Sequence, residues 1–89
     1  MKRQTLLFKI FGNKERVQLM CCLKKKHSVS ELLVKCTLSQ SALSQHLRLL
    51  KQAGLVACTR KGKLQIYEIR EKKALALAQA LLAFTTQRI

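Results

Sequence analysis

The segment 39–56 carries side chains whose types and spacing could read DNA. Leu43, Leu47 and Leu50 recur at i, i+4 and i+7, so they form one apolar stripe along a helix. The rest of that helix offers short polar or basic side chains, namely Gln40, Ser41, Ser44, Gln45 and Arg48. Gln can make paired hydrogen bonds to adenine, Arg to guanine, and Ser to bases or phosphates. We therefore predict a helix that buries its leucines and presents this polar face to a nucleic acid.

The net charge of the whole chain favours the same kind of partner. The 89 residues hold 18 Lys and Arg against 4 Asp and Glu, for a formal charge of +14 and a pI near 10.4. Such an excess destabilises a small fold by self-repulsion, so a polyanionic partner explains it better than solubility alone. The length predicts a single domain, 1–89, with a thin core.

Two helices are predicted before the polar helix is reached. The first covers roughly 2–11 and is ended by Gly12. Asn13 can cap the second, which is expected to run to about Lys26 because the basic run 24–26 suits the negative pole of a helix dipole.

A helix-turn-helix is predicted over 28–53. Ser28 or Ser30 opens a short third helix, since Ser28 with Glu31 three residues later fits a capping box, and 36–38 form the turn after it. Ser39 then caps the polar helix. Two short helices joined by a tight turn, the second exposing Ser, Gln and Arg, are typical of DNA-binding domains.

A basic hairpin follows the polar helix within 55–70. Gly54 suits the position just past a helix, and two runs rich in β-branched and apolar residues, 55–60 and 64–69, flank a turn. The tip of this hairpin is cationic, with Arg60, Lys61 and Lys63. An isolated turn of this kind would only add solubility. Directly after a DNA-reading helix, it is predicted to be a wing that reaches phosphates or the minor groove.

The last predicted helix, from 71 to about 85, has apolar residues over more than half of its circumference. Hydrophobic residues make up 48% of the chain, more than a domain of this size can bury by itself. The alternative is one fully buried helix, which a small winged helix has little volume to enclose. We predict a homodimer formed by 1–11 and 71–89, which would read a palindrome with half-sites roughly 34 Å apart.

Several stretches of the chain match a known family of regulators. They are 29–32 (VSEL), 38–47 (LSQSALSQHL), Leu50, 53–56 (AGLV) and 67–69 (YEI), within a looser match over 6–84. The chain resembles the ArsR family of small bacterial winged-helix repressors. The resemblance implies a dimer that blocks transcription and leaves DNA when an inducer binds. Carried over by position, it implies DNA contacts from Ser39, Gln40, Ser41, Ser44, Gln45 and His46, with Arg60, Lys61 and Lys63 on the wing.

The resemblance also shows which sensor residues this chain lacks. Metal-sensing members often have Cys-x-Cys at the start of the third helix, where this chain has Ser28-Val29-Ser30. Others use Asp and His on the last helix, but 71–89 contain no Asp, His or Cys. We therefore expect no metal site, and the inducer is unknown. Cys21 lies near the reactive cysteine of redox-sensing members, but the partner cysteine is missing; its alternative role is that of a small core residue.

Three further residues have two interpretations each. His46 could donate to a base or phosphate, or pack against its own helical turn; the resemblance favours DNA contact. His27 lies between a lysine run and a serine cap and is expected to be solvated. Thr37 stands where the family usually has Gly, so a positive φ there would cost stability and the turn is expected to be reshaped.

The predicted function is sequence-specific binding of double-stranded DNA, by a dimeric repressor of a palindromic operator. No arrangement of nucleophile, base and orienting residue is evident, so we expect a protein that is not an enzyme and uses no cofactor. With no membrane-length apolar stretch, the chain is expected to be cytoplasmic. Three alternatives stay open: a DNA-coating protein of the nucleoid type, a thiol-based redox repressor acting through Cys21, and a protein-interaction module.

Overall fold

A computed structural model describes residues 2–86, which form five helices and three strands. The helices are α1 (Arg3–Phe11), α2 (Lys14–Cys22), α3 (Val29–Lys35), α4 (Gln40–Gln52) and α5 (Lys72–Thr86). The strands are β1 (His27–Ser28), β2 (Val56–Lys61) and β3 (Leu64–Ile69). The predicted winged helix-turn-helix is confirmed. Residues 1 and 87–89 of the predicted dimerisation segments lie outside the described residues.

The helices α2 and α4 begin at the predicted capping residues. Asn13 Oδ1 accepts a hydrogen bond from the backbone N–H of Arg16 at 3.1 Å. Ser39 Oγ accepts one from the backbone N–H of Ala42, also at 3.1 Å. Each bond satisfies a donor that a helix start otherwise leaves without a partner. The start of α4, and therefore of its polar face, is thus determined by local sequence.

The predicted capping box of α3 is present. The backbone N–H of Glu31 donates to Ser28 Oγ at 3.2 Å, and the backbone N–H of Ser28 donates to Glu31 Oε1 at 2.8 Å. The second bond holds the pKa of the Glu31 carboxyl below its usual range, because it stabilises the charged form. The box therefore stabilises α3 most when Glu31 is ionised.

The predicted end of α2 near Lys26 is wrong by four residues, because the helix ends at Cys22. The chain then turns through the basic run 24–26 and pairs β1 with β3 in antiparallel fashion, with His27 opposite Tyr67. This pairing requires extended backbone directly after the turn, so tertiary contacts override the helical pattern. The strand β1 is itself a feature that the sequence analysis missed, since two residues show no periodicity.

His27 is buried, which corrects the expectation that it is solvated. Its Nδ1 atom lies 2.7 Å from the backbone carbonyl oxygen of Lys25, and the residue pairs with Tyr67 of the neighbouring strand β3. Burial of the ring thus accompanies strand pairing, which the local sequence does not show.

A glycine motif ends α4 and directs the chain into the wing. Gly54 has a φ of +77°, which glycine adopts without steric cost. The N–H groups of Gly54 and Leu55 donate to the carbonyl oxygens of Lys51 and Leu50, each at 3.0 Å. This is the Schellman arrangement, and the buried side chains of Leu50 and Leu55 accompany it. The predicted role of Gly54 is confirmed.

One apolar core joins the five helices and the start of β2. Its fully buried large side chains are Ile10, Leu19, Met20, Leu23, Leu32, Leu43, Leu50, Leu55 and Val56. By contrast, Phe8, Leu77 and Phe84 on α1 and α5 are 72%, 54% and 74% exposed. Within residues 2–86, no helix combines the length and apolarity needed to cross a membrane. The core thus supports α4 from behind and leaves apolar side chains of α1 and α5 uncovered.

Candidate nucleic-acid interface

The helix α4 has one buried face and one exposed polar face. Leu43, Leu47 and Leu50 are buried in the core, as their spacing predicts. The exposed residues of this region are Ser39, Gln40, Ser41, Ser44, Gln45 and Arg48. We call these six residues the polar face. They offer both hydrogen-bond donors and acceptors, and Arg48 adds a positive charge. The geometry suits insertion into a groove of DNA.

His46 does not belong to the polar face, which corrects its expected contact with DNA. Its side chain is buried, with 7% of the residue exposed, and its Nδ1 atom lies 2.9 Å from Nη1 of Arg16 in α2. Since the guanidinium group can only donate, His46 Nδ1 is the acceptor and the remaining proton of the ring lies on Nε2. His46 therefore anchors α4 to the rest of the domain.

Arg16 connects three helices and was not singled out by the sequence analysis. Besides His46 in α4, its guanidinium donates through Nη2 to the backbone carbonyl oxygen of Lys9 in α1, at 3.2 Å. Burial lowers the pKa of Arg16, and the adjacent carboxylate of Glu15 opposes that shift. The sequence did indicate that Arg16 is buried. It precedes Leu19, Met20 and Leu23 at helical spacing, so it lies on the apolar stripe of α2.

The hydrogen-bonding groups of Arg16 and His46 are only partly satisfied. Among the described residues, Nε of Arg16 and Nε2 of His46 are buried without a hydrogen-bond partner. Glu15 Oε1 lies 3.7 Å from His46 Nε2, which is close enough for electrostatic attraction but too long for a good hydrogen bond. The Nη1 contact to His46 is therefore the main polar link between α2 and α4.

The wing presents the three predicted basic residues at its tip. Strands β2 and β3 pair from Val56 opposite Ile69 to Lys61 opposite Leu64. Gly62 opens the two-residue turn with a φ of +59°. The exposed cations are Arg60, Lys61 and Lys63. A positively charged strand tip of this kind suits contacts with phosphates.

The turn between α3 and α4 avoids the strain considered for Thr37. All non-glycine residues in the described part of the chain have negative φ, Thr37 among them. Cys36 ends α3 in extended conformation, with φ −102° and ψ 134°, and Ser39 is extended as well. The turn therefore connects the helices without a left-handed residue, so the family's usual Gly is not needed here.

Three of the four cysteines line one cavity beside this turn. The cavity has a volume of about 450 Å³ and is bounded by Cys21, Cys22 and Cys36, together with Leu38 and Leu82. Burial and the neighbouring Cys22 thiol raise the pKa of Cys21, the residue considered for redox chemistry. Within residues 2–86, no group of three or more His, Cys, Asp or Glu side chains is arranged to hold a metal ion. The fourth cysteine, Cys58, lies in β2.

Comparison with known proteins identifies the family. Residues 13–57 match the family model described as bacterial regulatory protein, arsR family. The chain belongs to the arsR family. It is 35% identical over 80 residues to the transcriptional activator HlyU of Vibrio cholerae, covering 89% of this chain and 74% of that protein. It is 38% identical over 79 residues to the biofilm growth-associated repressor of Agrobacterium fabrum, covering 88% of this chain and 68% of that protein.

A solved structure extends the likeness to the fold of this arsR-family chain. The transcriptional repressor BigR from Xylella fastidiosa superposes with a TM-score of 0.83 at 32% identity, covering 94% of this chain and 87% of that one. The family and these relatives are transcriptional regulators, so the protein described here is a winged-helix transcriptional regulator of the arsR family.

Proposed function

We propose that this protein binds a specific double-stranded DNA operator through α4 and the wing. One observation carries the proposal: the polar face of α4 is exposed along its length, while the leucines behind it are buried. A helix arranged in this way can enter the major groove and present Gln and Arg to base edges. The exposed cations of the wing then contact the backbone of the same duplex.

The proposed assembly is a homodimer built from α1 and α5. Phe8, Leu77 and Phe84 are large, apolar and mostly exposed, and all lie on these two helices. Apolar surface of this kind on a monomer supports an interface with a second copy. Two copies related by a two-fold axis would present two α4 helices to successive turns of DNA, which requires a palindromic operator.

The proposed effect on transcription is repression in the cytoplasm. A dimer seated on a promoter excludes RNA polymerase from the same DNA. The named relatives include both an activator and repressors, so the position of the operator relative to the promoter decides the outcome for a given gene. No enzymatic step is part of the proposal, since binding and release suffice for regulation.

The experiment that tests the proposal is selection of bound duplexes from a random DNA pool with the full chain. We expect enrichment of a palindrome with half-sites about one helical turn apart. At one fixed salt concentration, the selected duplex should bind at least about 10³-fold more tightly than a shuffled duplex of equal length. A preference below tenfold would contradict sequence-specific regulation and favour the DNA-coating alternative.

A further inference from the structure

Two cysteines, one at the end of α2 and one just after α3, approach each other beside the turn that precedes α4. Cys22 is the last residue of α2, and Cys36 follows the last residue of α3. Their Sγ atoms lie 4.0 Å apart, with the Cys36 thiol donating a hydrogen bond to the Cys22 sulfur. A disulfide has an S–S distance of about 2.05 Å, so the two sulfur atoms need to approach by roughly 2 Å.

The backbone around Cys36 allows this approach. Cys36 has extended φ and ψ angles and is followed by the irregular turn 37–38, so the chain leaves the helix at this residue, although the backbone N–H of Cys36 still donates to the carbonyl oxygen of Leu32 at 2.8 Å. A change of side-chain rotamer moves a sulfur atom by a distance of this order. Both thiols are half-buried and line the same open cavity of about 450 Å³, which a small oxidant can enter.

We propose that Cys22 and Cys36 are a site of reversible oxidation, at which a hydroperoxide closes an intramolecular disulfide between the end of α2 and the turn before α4. This site differs from the one considered in the sequence analysis, which was Cys21. A bond between the adjacent residues Cys21 and Cys22 would be strained, whereas the contact between Cys22 and Cys36 already joins two elements.

The chemistry takes place in two balanced steps. The Cys22 sulfur, as thiolate, attacks one oxygen of the hydroperoxide; an S–O bond forms, the O–O bond breaks, and the other oxygen leaves as an alcohol after taking up a proton. The Cys36 sulfur then attacks the Cys22 sulfur; an S–S bond forms and the S–O bond breaks. The hydroxyl leaves as water with the proton of Cys36. Two thiols thus lose two electrons and two protons, and the hydroperoxide is reduced to alcohol and water.

The two sulfur atoms take different roles in these steps. The property of Cys36 that bears on these roles is its raised pKa. Burial, together with the Cys22 thiol, raises the pKa of Cys36 to about 11, so Cys36 retains its proton, and we assign the attack on the hydroperoxide to Cys22. Cys36 is accordingly the sulfur that resolves the sulfenic acid.

The disulfide would act on DNA binding through the start of α4. Cys36 precedes the Ser39 cap by three residues, so a movement of Cys36 toward α2 is passed directly to the first turn of the recognition helix, where Gln40 and Ser41 lie. This consequence rests on the proposed function. We expect the oxidised protein to bind the selected operator roughly 5- to 100-fold more weakly, a usual range for coupling between sites.

The first test maps the disulfide itself. The full chain is treated with hydrogen peroxide at low micromolar concentration, remaining thiols are alkylated, and the trypsin digest is examined by mass spectrometry. Fragments 17–24 and 36–48 should be joined and two hydrogen atoms lighter than their sum. Fragment 17–24 contains both Cys21 and Cys22, so the Cys21→Ser variant must keep the link and Cys22→Ser must lose it.

Controls separate a real site from general oxidation. The Cys36→Ser variant should remain unlinked, while Cys58→Ser should behave like the unmodified chain; circular dichroism confirms that each variant is folded. A link through Cys21 or Cys58, a link between two chains, or the absence of any link overturns the proposal.

The second test measures operator affinity before oxidation, after oxidation and after reduction with dithiothreitol. The regulatory role is supported if oxidation lowers operator affinity, dithiothreitol restores it, and the Cys36→Ser variant shows no such change. A mapped disulfide with unchanged affinity overturns that role. If the reduced protein binds no duplex specifically, the proposed function fails, but the mapped disulfide still decides the chemistry of the site.

Discussion

Adjacent residues of α4 have opposite surroundings. Gln45 is exposed on the polar face, whereas His46 is buried against Arg16 of α2. One step along a helix rotates the side chain by about 100°, so neighbouring polar residues can serve different purposes. The polar residues of this segment therefore divide into exposed ones and one buried residue that anchors the helix to α2.

Substitution of Gln45 and of Lys61 should weaken DNA binding in different ways. Gln45→Ala removes a side chain suited to paired hydrogen bonds with adenine, so affinity for the selected operator should fall by about 1–3 kcal/mol, with relaxed preference at one base pair. Lys61→Ala removes a wing cation, so affinity should fall on all sequences. Titrations of operator and shuffled DNA at several salt concentrations measure both effects.

The salt dependence distinguishes the two variants. Lys61→Ala should lower the slope of log K against log salt by about 1, and Gln45→Ala should leave it unchanged. Equal losses on operator and shuffled DNA from Gln45→Ala would show that this residue does not read bases.

The hydrogen bond between Arg16 and His46 should stabilise the fold and hold α4 in place. His46→Leu leaves a buried guanidinium without its acceptor, which should lower the free energy of unfolding by about 2–3 kcal/mol. His46→Asn is the matched control, because its amide oxygen can accept from Arg16 in place of Nδ1. Urea unfolding measures the free energy of unfolding. If His46→Leu and His46→Asn lower it equally, packing of the imidazole ring contributes more than the hydrogen bond.

At the scale of elements, the capping box makes the stability of α3 depend on pH. The pKa of Glu31 is lower in the fold than in the unfolded chain, because the Ser28 N–H stabilises the carboxylate. Its contribution is therefore present above the ordinary Glu pKa of about 4.3 and is lost as the pH falls through the lower folded value.

Glu31→Gln should remove this dependence while keeping a hydrogen-bonding side chain at the same position. We expect the chain with Glu31 to be more stable than the variant at pH 6, and the difference to disappear toward pH 3. Thermal unfolding across this range measures it. A difference that stays constant with pH would show that the charge of Glu31 does not contribute.

The end of α4 depends on the backbone of Gly54. An added Cβ would meet no atom within 4 Å, so the cost of Gly54→Ala comes from the φ of +77° alone. We expect a loss of about 1–2 kcal/mol in the free energy of unfolding. Gly54→Asn should lose less, since Asn tolerates this region better. If urea unfolding shows that Gly54→Ala and Gly54→Asn lower the free energy of unfolding equally, the explanation by backbone conformation is wrong.

At the scale of the whole molecule, α1 and α5 leave apolar side chains in water that a second copy could cover. Phe84→Glu should place a charge in the proposed interface and convert a dimer, of twice the 10.2 kDa chain mass, into a monomer. Light scattering with size-exclusion chromatography measures the mass. Val34→Glu is the matched control, because Val34 is 86% exposed but lies on α3.

Two outcomes would contradict the proposed dimer interface. If the unmodified chain elutes as a monomer at micromolar concentration, the exposed phenylalanines serve another partner. If Val34→Glu dissociates the dimer and Phe84→Glu does not, the interface lies on the helix-turn-helix side of the domain.

Local sequence determined where several helices of this protein begin or end and which face of α4 is buried. The caps at Asn13, Ser28 and Ser39 satisfy backbone donors a few residues away, and the leucine spacing in α4 sets its buried stripe whatever packs against it. Gly54 ends α4 because its own backbone prefers the conformation required there. Each of these patterns lies within eight consecutive residues or fewer, so it is visible in the sequence.

Only the tertiary structure decided the contacts between distant segments. His27 pairs with Tyr67 where α2 was predicted to end, Arg16 holds His46 against α2, and the ends of α2 and α3 bring Cys22 close to Cys36. In each case the partners are 14 to 40 residues apart, so the energy of the contact depends on how elements pack. A one-dimensional pattern shows which face of an element is apolar, but packing determines which residue it meets.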